Sequence, residues 1–246
     1  MGSVYGPNMA TDGLVLALDA ANVQSYPGSG STWYDLVGSD DTTLYNSPTH
    51  STDGGGCFDF NGTNQYALTN TDLRAIGNII TFSIWYRVES TAVKNVMNMA
   101  IWRSNANFFE WGIRDPYSST PISIENWAYS DLNYVRNDWD WGTNPESTVN
   151  EWKNVTTTLN AGTGYGYLNG TQITAAGGDT YSWTPWSTAL YQAGFYLATG
   201  AFYHHNSAAL SSYCDCQIAM AHLWNRALTA AEVLQNYNAH KSRFGL

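Results

Sequence analysis

The sequence predicts an all-β protein, a two-sheet antiparallel jelly-roll sandwich closed by one short C-terminal helix. Three observations carry this. Short runs with an apolar period of two recur along the chain, bounded by Gly, Asn, Asp, Ser and Thr, as half-buried strands joined by turns require. The step Asn169-Gly170 stands between two such runs, the strongest short-range signal of a two-residue hairpin. Only one segment carries a helix start: Thr229 and Glu232 are three residues apart, the spacing at which a cap hydroxyl and a first-turn carboxylate satisfy each other's backbone donors.

Taken in order, Leu14, Leu16 and Leu18 alternate with Val15, Ala17 and Asp19, a first strand with one strongly apolar face. Residues 22–56 are crowded with Gly, Ser, Thr, Asp and Pro, and Asp53-Gly54-Gly55-Gly56 ends that loop before a strand at Cys57-Phe58-Asp59-Phe60. Phe82, Ile84, Tyr86 and Val88 share one face of the next strand, with Ser83, Trp85 and Arg87 opposite. Val155, Thr157 and Leu159 repeat the pattern, and Tyr165–Leu168 turns through Asn169-Gly170 into Thr171-Gln172-Ile173. Phe195 and Leu197 mark a further strand. Gln217 to Trp224 alternates Ile218, Met220, His222 and Trp224 with smaller partners and forms the closing strand before the helix at Thr229.

At 246 residues the chain can bury a sizeable core within one domain spanning 1–246. Two aromatic-rich insertions, about 89–150 and 179–206, are expected to decorate it with extra strands or long loops. Hydrophobic residues make up 43% and charged residues only 12%, so solubility rests on Ser, Thr, Asn, Gly and Tyr rather than on ion pairs. Ten Lys and Arg against 20 Asp and Glu give a formal charge of −10, which repels a phosphate backbone and an anionic membrane alike. No apolar stretch approaches the roughly 20 residues of a membrane helix, and the N-terminus lacks the basic segment and apolar core of a secretory signal. The expectation is a soluble protein not exported by a signal of its own.

Cys214 and Cys216 are separated by one residue and share a strand face, so either could meet a strand carrying Cys57, as a metal site or as one disulfide. Three packed thiols are the preferred reading, because Cys-x-Cys lacks the spacing of a zinc site. Saccharide binding needs a flat apolar plate and a few placed polar partners. Aromatic residues reach 15%, and Trp127, Tyr129, Trp139, Trp141, Trp183 and Trp186 are the candidate plates, with Asn126, Asp138, Asp140 and Asn144 as hydroxyl partners. The same residues serve as core or as protein contacts in other sheets. His204-His205 would point to opposite faces of a strand and reads as a surface loop. No Gly-x-Ser-x-Gly elbow, phosphate loop or His-Glu-x-x-His segment occurs.

The closing run Ile218 to Glu232, the opening runs Gly13 to Asn22, Ser25 to Gly28 and Trp33 to Leu36, and between them Phe58 to Tyr66, Thr81 to Trp85 and Glu151-Trp152 through Gly170 come in a specific order. Together they resemble the laminin-G-like branch of the concanavalin A-like lectin/glucanase superfamily over nearly the whole chain. The opening and closing wording is most similar to copies in structural proteins of tailed bacteriophages, marine and cyanobacterial ones especially. The resemblance implies a concanavalin A-like sandwich and suggests Ca2+ as cofactor, held by oxygen ligands at a sheet rim. Asp59, Asn61 and Asn64 are then the candidate ligands, with Asp12 and Asp19 as an alternative, although Asx residues also build turns unaided.

Enzymes of that superfamily place paired carboxylates on one strand as Glu-x-Asp-x-x-Glu, and glycosidases need such a pair roughly 5–10 Å apart. The run is absent here; Asp138-Trp139-Asp140 and Glu110 with Asp115 are the nearest fragments. The expectation is therefore a non-enzymatic virion-associated structural protein with a lectin-like domain for host-surface glycans. Made in the host cytoplasm and displayed on the virion surface, it would meet glycans, other virion proteins or further copies of itself. A second reading is a capsid, neck or tail decoration protein using the sandwich for protein contacts. A glycan hydrolase or lyase is the third.

Overall fold

A computed structural model of the chain describes residues 8–70, 79–90, 95–104, 107–114, 123–130, 133–140, 149–160, 163–173, 195–200, 202–204, 209–211 and 213–246. Its strands are β1 (Leu14–Asp19), β2 (Thr32–Trp33), β3 (Thr42–Tyr45), β4 (Thr49–Ser51), β5 (Cys57–Asn61), β6 (Tyr66–Thr69), β7 (Ile79–Val88), β8 (Asn95–Ser104), β9 (Asn107–Arg114) and β10 (Ser123–Ser130). They continue as β11 (Asn133–Asp140), β12 (Lys153–Asn160), β13 (Thr163–Leu168), β14 (Thr171–Gln172), β15 (Phe195–Thr199), β16 (Phe202–His204), β17 (Ala209–Ser211) and β18 (Asp215–Trp224). One α-helix follows, α1 (Ala230–His240), running into a 3-10 turn at Lys241–Phe244. The protein is all-β apart from that ending, with two antiparallel sheets as the sequence predicts.

The first sheet runs β14-β13-β12-β7-β18-β5-β4, and β1 pairs with β18 beside β5. The second runs β11-β10-β9-β8-β15-β6-β3-β2, and β16 and β17 form a small ribbon. Between the sheets lies the main core, with Leu16, Leu18, Trp33, Phe58, Phe60 and Phe82 among its buried members. Of the apolar faces read from the sequence, Leu16 and Leu18, Phe58 and Phe60, Phe82 to Val88, and Val155 with Leu159 point there, whereas Leu14 does not and the closing strand sends Ile218 inward but Met220 and Trp224 to the opposite side.

The opposite face of the first sheet is buried too, which alternation alone does not reveal. Trp85, Met220 and Cys57 pack under Phe244, with Tyr237 and Trp152 against them. The rings of Trp85 and Phe244 stack at 4.2 Å and 13°. Further along, Trp224, Ala17 and Tyr167 pack under Val233 of α1. Ser83 on this face is satisfied locally: Asn154 Nδ2 and Thr156 Oγ1 both donate to its hydroxyl, at 3.0 and 2.9 Å. The C-terminal turn is pinned by Arg243, which donates to Asp19 Oδ1 at 2.7 Å and to the Gly56 carbonyl at 2.7 Å. Gly56 has to be glycine, since at φ 145° a Cβ would stand 2.6 Å from Ala21 Cα. Gly170, at φ 75° after Asn169 at φ 49°, makes the predicted hairpin turn between β13 and β14.

The insertion at 89–150 supplies extra strands, and β8 to β11 form half of the second sheet, with β8 paired to β15 inside it. The cysteines are three free, buried thiols, as the preferred sequence reading has them, and neither Cys57–Cys214 nor Cys57–Cys216 is bonded. Cys216 lies in the inter-sheet core whereas Cys57 lies under Phe244 on the other side of the sheet, so strand parity separates them. Burial pushes the Cys57 thiol up to about 12, and its Sγ donates to Gln217 Oε1 at 3.4 Å.

The helix starts as predicted. Glu232 N donates to Thr229 Oγ1 at 3.3 Å while Thr229 N donates to Glu232 Oε2 at 2.8 Å, a complete capping box. Arg226 grips the same carboxylate with both terminal nitrogens, and that hydrogen bonding holds Glu232 down at about 2. Thr229→Ala is expected to cost about 0.5–2 kcal/mol and Thr229→Ser little, read from urea unfolding; equal stability of the three proteins would refute the cap.

His222 is buried in β18 against His240 of α1, ring centroids 5.8 Å apart, and burial, then His240 and Arg243, lowers it to about 3 from 6.5. A group depressed on folding stabilises above its ordinary value and loses that contribution as pH falls. Stability should therefore decline from about pH 6.5 downward through His222, with Glu232 adding a second loss between about 4.5 and 2. In His222→Asn the slope between pH 7 and 5.5 should flatten, and an unchanged slope would show that another group sets it.

Candidate functional site

Because α1 and the C-terminal turn cover the outer side of the first sheet, the outer side of the second is the face left to carry a site. On β3, Thr42 and Leu44 are buried while Thr43 and Tyr45 face outward, Tyr45 being 37% exposed. On β6, Ala67 and Thr69 are buried while Tyr66 and Leu68 are half-buried on the other side. Tyr45 and Tyr66 are direct cross-strand partners, and their rings stack at 4.5 Å and 9°. Tyr213 adds a third ring, 6.2 Å from Tyr66. Burial raises the Tyr66 hydroxyl above its usual value, with Tyr45 and Tyr213 adding to the effect, so it remains a neutral donor and acceptor at physiological pH.

Amides brace the rim of this platform. Asn46 and Ser47 both adopt left-handed backbone, φ 60° and 53°. They are clamped there by Gln65 Nε2, which donates to the Asn46 and Ser47 carbonyls at 3.1 and 2.9 Å, while Asn46 Nδ2 donates to the Asn64 carbonyl at 2.6 Å. None of these residues was singled out as saccharide-binding from sequence. The signal was available in Thr42-Thr43-Leu44-Tyr45 and Tyr66-Ala67-Leu68-Thr69, which put one tyrosine each on an outer face.

Register carries that face across the sheet. Thr43 opposes Leu68, Leu68 opposes Ala198, Ala198 opposes Asn98, Asn98 opposes Gly112, Gly112 opposes Glu125, and Glu125 opposes Asp138. The register thus runs without a break from the strands of Tyr45 and Tyr66 to those that carry Trp127, Tyr129, Asp138 and Asp140. Trp127 is paired with Glu110 and Arg136, and Tyr129 with Phe108 and Tyr134. At about 4.8 Å per strand, β10 and β6 are about 20 Å apart. Trp139 is paired with Ile124 and Asn126 with Asn137. Trp141, Asn144, Trp183 and Trp186 lie outside the described residues.

The carboxylate and amide groups considered for calcium are otherwise engaged. Asn61 Oδ1 closes an Asx turn, accepting from the backbone N–H of Thr63, Asn64 and Gln65 at 2.9, 3.2 and 3.4 Å, and Asn61 Nδ2 donates to Asn64 Oδ1 at 3.2 Å. Asp59, two residues before Asn61 on β5, is paired with Gln217. Burial and then Asp215 raise its carboxyl above the usual range. In the alternative pair, Asp19 is held by Arg243 at 2.7 Å and Asp12 by Arg226 at 3.2 Å. Among the described residues no group of three His, Cys, Asp or Glu is placed to hold a metal ion. Asn61 therefore has a turn role, and Asp12 and Asp19 ion-pair roles, of their own in the fold.

The fold recurs in solved structures. The Trypanosoma rangeli sialidase in complex with 2,3-difluorosialic acid matches with a TM-score of 0.63 at 12% identity, over 96% of this chain and 34% of that one. Domain 4 of a GH43 extracellular arabinanase from Geobacillus stearothermophilus, in complex with arabinotriose, matches with a TM-score of 0.61 at 14% identity, over 91% of this chain and 98% of that domain. The binding domain of a paraclostridial mosquitocidal protein matches with a TM-score of 0.63 at 14% identity, over 93% and 52%. The chain thus spans about a third of the length of the sialidases. No curated protein matches it.

These likenesses overturn the expectation of a non-enzymatic protein: glycoside hydrolases share this fold, so lack of a Glu-x-Asp-x-x-Glu run does not set the chain apart from enzymes. The register illustrates why: Glu125 of β10 is the pairing partner of Asp138 of β11, so a sheet can pair two acidic residues that do not stand on one strand. A laminin-G family model matches residues 60–234. With most of its length so matched and both sheets in place, the chain belongs to the concanavalin A-like lectin/glucanase superfamily.

Proposed function

We propose that the chain is a glycan-binding domain whose outer second-sheet face holds saccharide, and that it acts on a virion surface to retain host-surface polysaccharide. The observation that carries the reading is the stacked Tyr45–Tyr66 pair on that face, in register with the strands bearing Trp127 and Tyr129. Flat rings offer apolar plates for sugar C–H faces, and the amides and carboxylates of the same face offer partners for hydroxyls. The net charge of −10 favours a neutral saccharide over a polyanion. The fold's recurrence in an arabinanase domain holding arabinotriose supports the ligand class. The virion setting rests on the likeness of the opening and closing motifs to tailed-phage structural proteins.

The test is retention of arabinotriose and of host envelope polysaccharide by the wild type, Tyr45→Ala and Trp127→Ala. Loss of a fully desolvated plate removes burial of about 1.5–3 kcal/mol, so each variant should bind about tenfold more weakly or worse with its melting temperature little changed. Full retention by both variants would sink the platform. Variants that bind sugar normally yet fail to enter particles would favour the decoration role, and shortening of the polysaccharide would extend the reading from binding to hydrolysis.

A further inference from the structure

Beside the turn that follows Tyr45, a cleft of about 460 Å3 opens between that turn and the loop before β2, lined by Tyr26, Gly30, Ser31, Leu44, Ser47 and Pro48. We propose that this cleft is a second saccharide site, taking one neutral sugar unit; the ligand class rests on the glycan-binding reading above, whereas the site itself does not.

Its chemistry is specific. No lining residue is charged, so an anion or a cation finds no counter-charge there, and desolvating either would cost far more than a neutral ligand. Three hydroxyl-bearing residues, Tyr26, Ser31 and Ser47, line it together with the apolar Leu44 and Pro48, the mixture of few polar groups on an apolar wall that small polyhydroxylated ligands require. Its volume falls within the range of about 300–1,000 Å3 typical of ligand pockets.

Both walls are fixed before any ligand arrives. Tyr26 is packed edge-on to Phe58 at 4.8 Å and tilted against His50 at 4.9 Å, and its hydroxyl donates to the Gly30 carbonyl at 3.3 Å. That bond uses the proton and leaves the phenolic oxygen free to accept from a sugar hydroxyl. The facing wall at Asn46-Ser47 is the left-handed pair clamped by Gln65, two successive non-glycine residues in a conformation that side chains disfavour. Turn closure alone would be met more easily by Asn-Gly. The clamp instead holds a serine hydroxyl at the cleft, which is strain retained at a place with a use for it.

The experiment is a titration of the 15N-labelled full chain with methyl α-D-glucopyranoside, methyl β-D-galactopyranoside, methyl α-D-mannopyranoside and methyl α-L-arabinofuranoside. For at least one of them the amides of Gly30, Ser31 and Ser47 should shift saturably. Ser31→Trp, at an exposed position, should fill the cleft and abolish those shifts, and Tyr26→Phe should weaken the affinity about threefold to tenfold, the equivalent of about one hydrogen bond. If Ser31→Trp fails to fold, Tyr26→Phe decides. Absence of saturable shifts with all four glycosides, or shifts undiminished in a folded variant, overturns the cleft. The outcomes separate from those of the platform: Tyr45→Ala should lose arabinotriose and keep the glycoside shifts, whereas Ser31→Trp should do the reverse.

Discussion

Everything in this sandwich is organised around one strand, β18, and around the way its two halves are shared. Along one edge it pairs with β7 for almost its whole length, and along the other it pairs first with β5, through Asp215 to Ile218, and then with β1, through Met220 to Trp224. The change of partner falls at Ala219, where the register against β7 slips by one residue and the Ala219 carbonyl accepts from Ala20 N at 3.0 Å. A bulge there bends and twists the strand locally. It lets the N-terminal strand and the strand that follows the triple glycine lie end to end without leaving the ladder open. Every β18 residue from Cys216 to Trp224 is buried, so the N-terminus, the central strand and the C-terminal helix are held in one cooperative unit.

Such burial on both sides sets the polarity of the rest. An antiparallel sheet usually leaves one face wet, and here the first sheet gives up that face to α1 and to the Trp85–Phe244–Tyr237 stack. Polar residues caught under this cover are satisfied by one another, as Ser83 with Asn154 and Thr156, or stay neutral, as His222 does. The cover is anchored by ion pairs at its two ends, Arg226 with Glu232 and Arg243 with Asp19. With the first sheet closed on both sides, an aromatic surface has only the second sheet on which to form. Tyr45 and Tyr66 stack there, where neither ring is needed for the core.

The strands were legible in the sequence wherever one face dominates, because alternation reports burial directly: Leu16 and Leu18, Phe58 and Phe60, Phe82 to Val88 all point where their spacing says. So were the hairpin at Asn169-Gly170 and the cap at Thr229, which are local chemistry. What depends on distant chain was not. Trp85 and Cys57 look like outward residues until Phe244 is laid over them from 150 residues or more away, and which side of the sheet each cysteine takes is defined only once β5 and β18 are set side by side. The aromatic insertion illustrates the same limit. Trp127, Tyr129 and Trp139 were equivalent as plates in the sequence, and their partners, Glu110 and Arg136, Phe108 and Tyr134, and Ile124, are defined only by the pairing of β9, β10 and β11.

That pairing also bears on chemistry. Strands β9, β10 and β11 pair Glu110 and Arg136 with Trp127 and Glu125 with Asp138, and acidic and aromatic residues are what both saccharide binding and glycosidic hydrolysis draw upon. What distinguishes them is differential stabilisation: a binding face needs only to hold the ground-state sugar, whereas a hydrolase must hold one carboxyl protonated and another ionised at a separation set by the reaction. A sheet also pairs carboxylate residues from separate strands, as it pairs Glu125 with Asp138, so the absence of a single-strand motif does not set the chain apart from enzymes. The stacked tyrosines, about 20 Å away across the sheet, would in either case serve to lay an extended saccharide along the face.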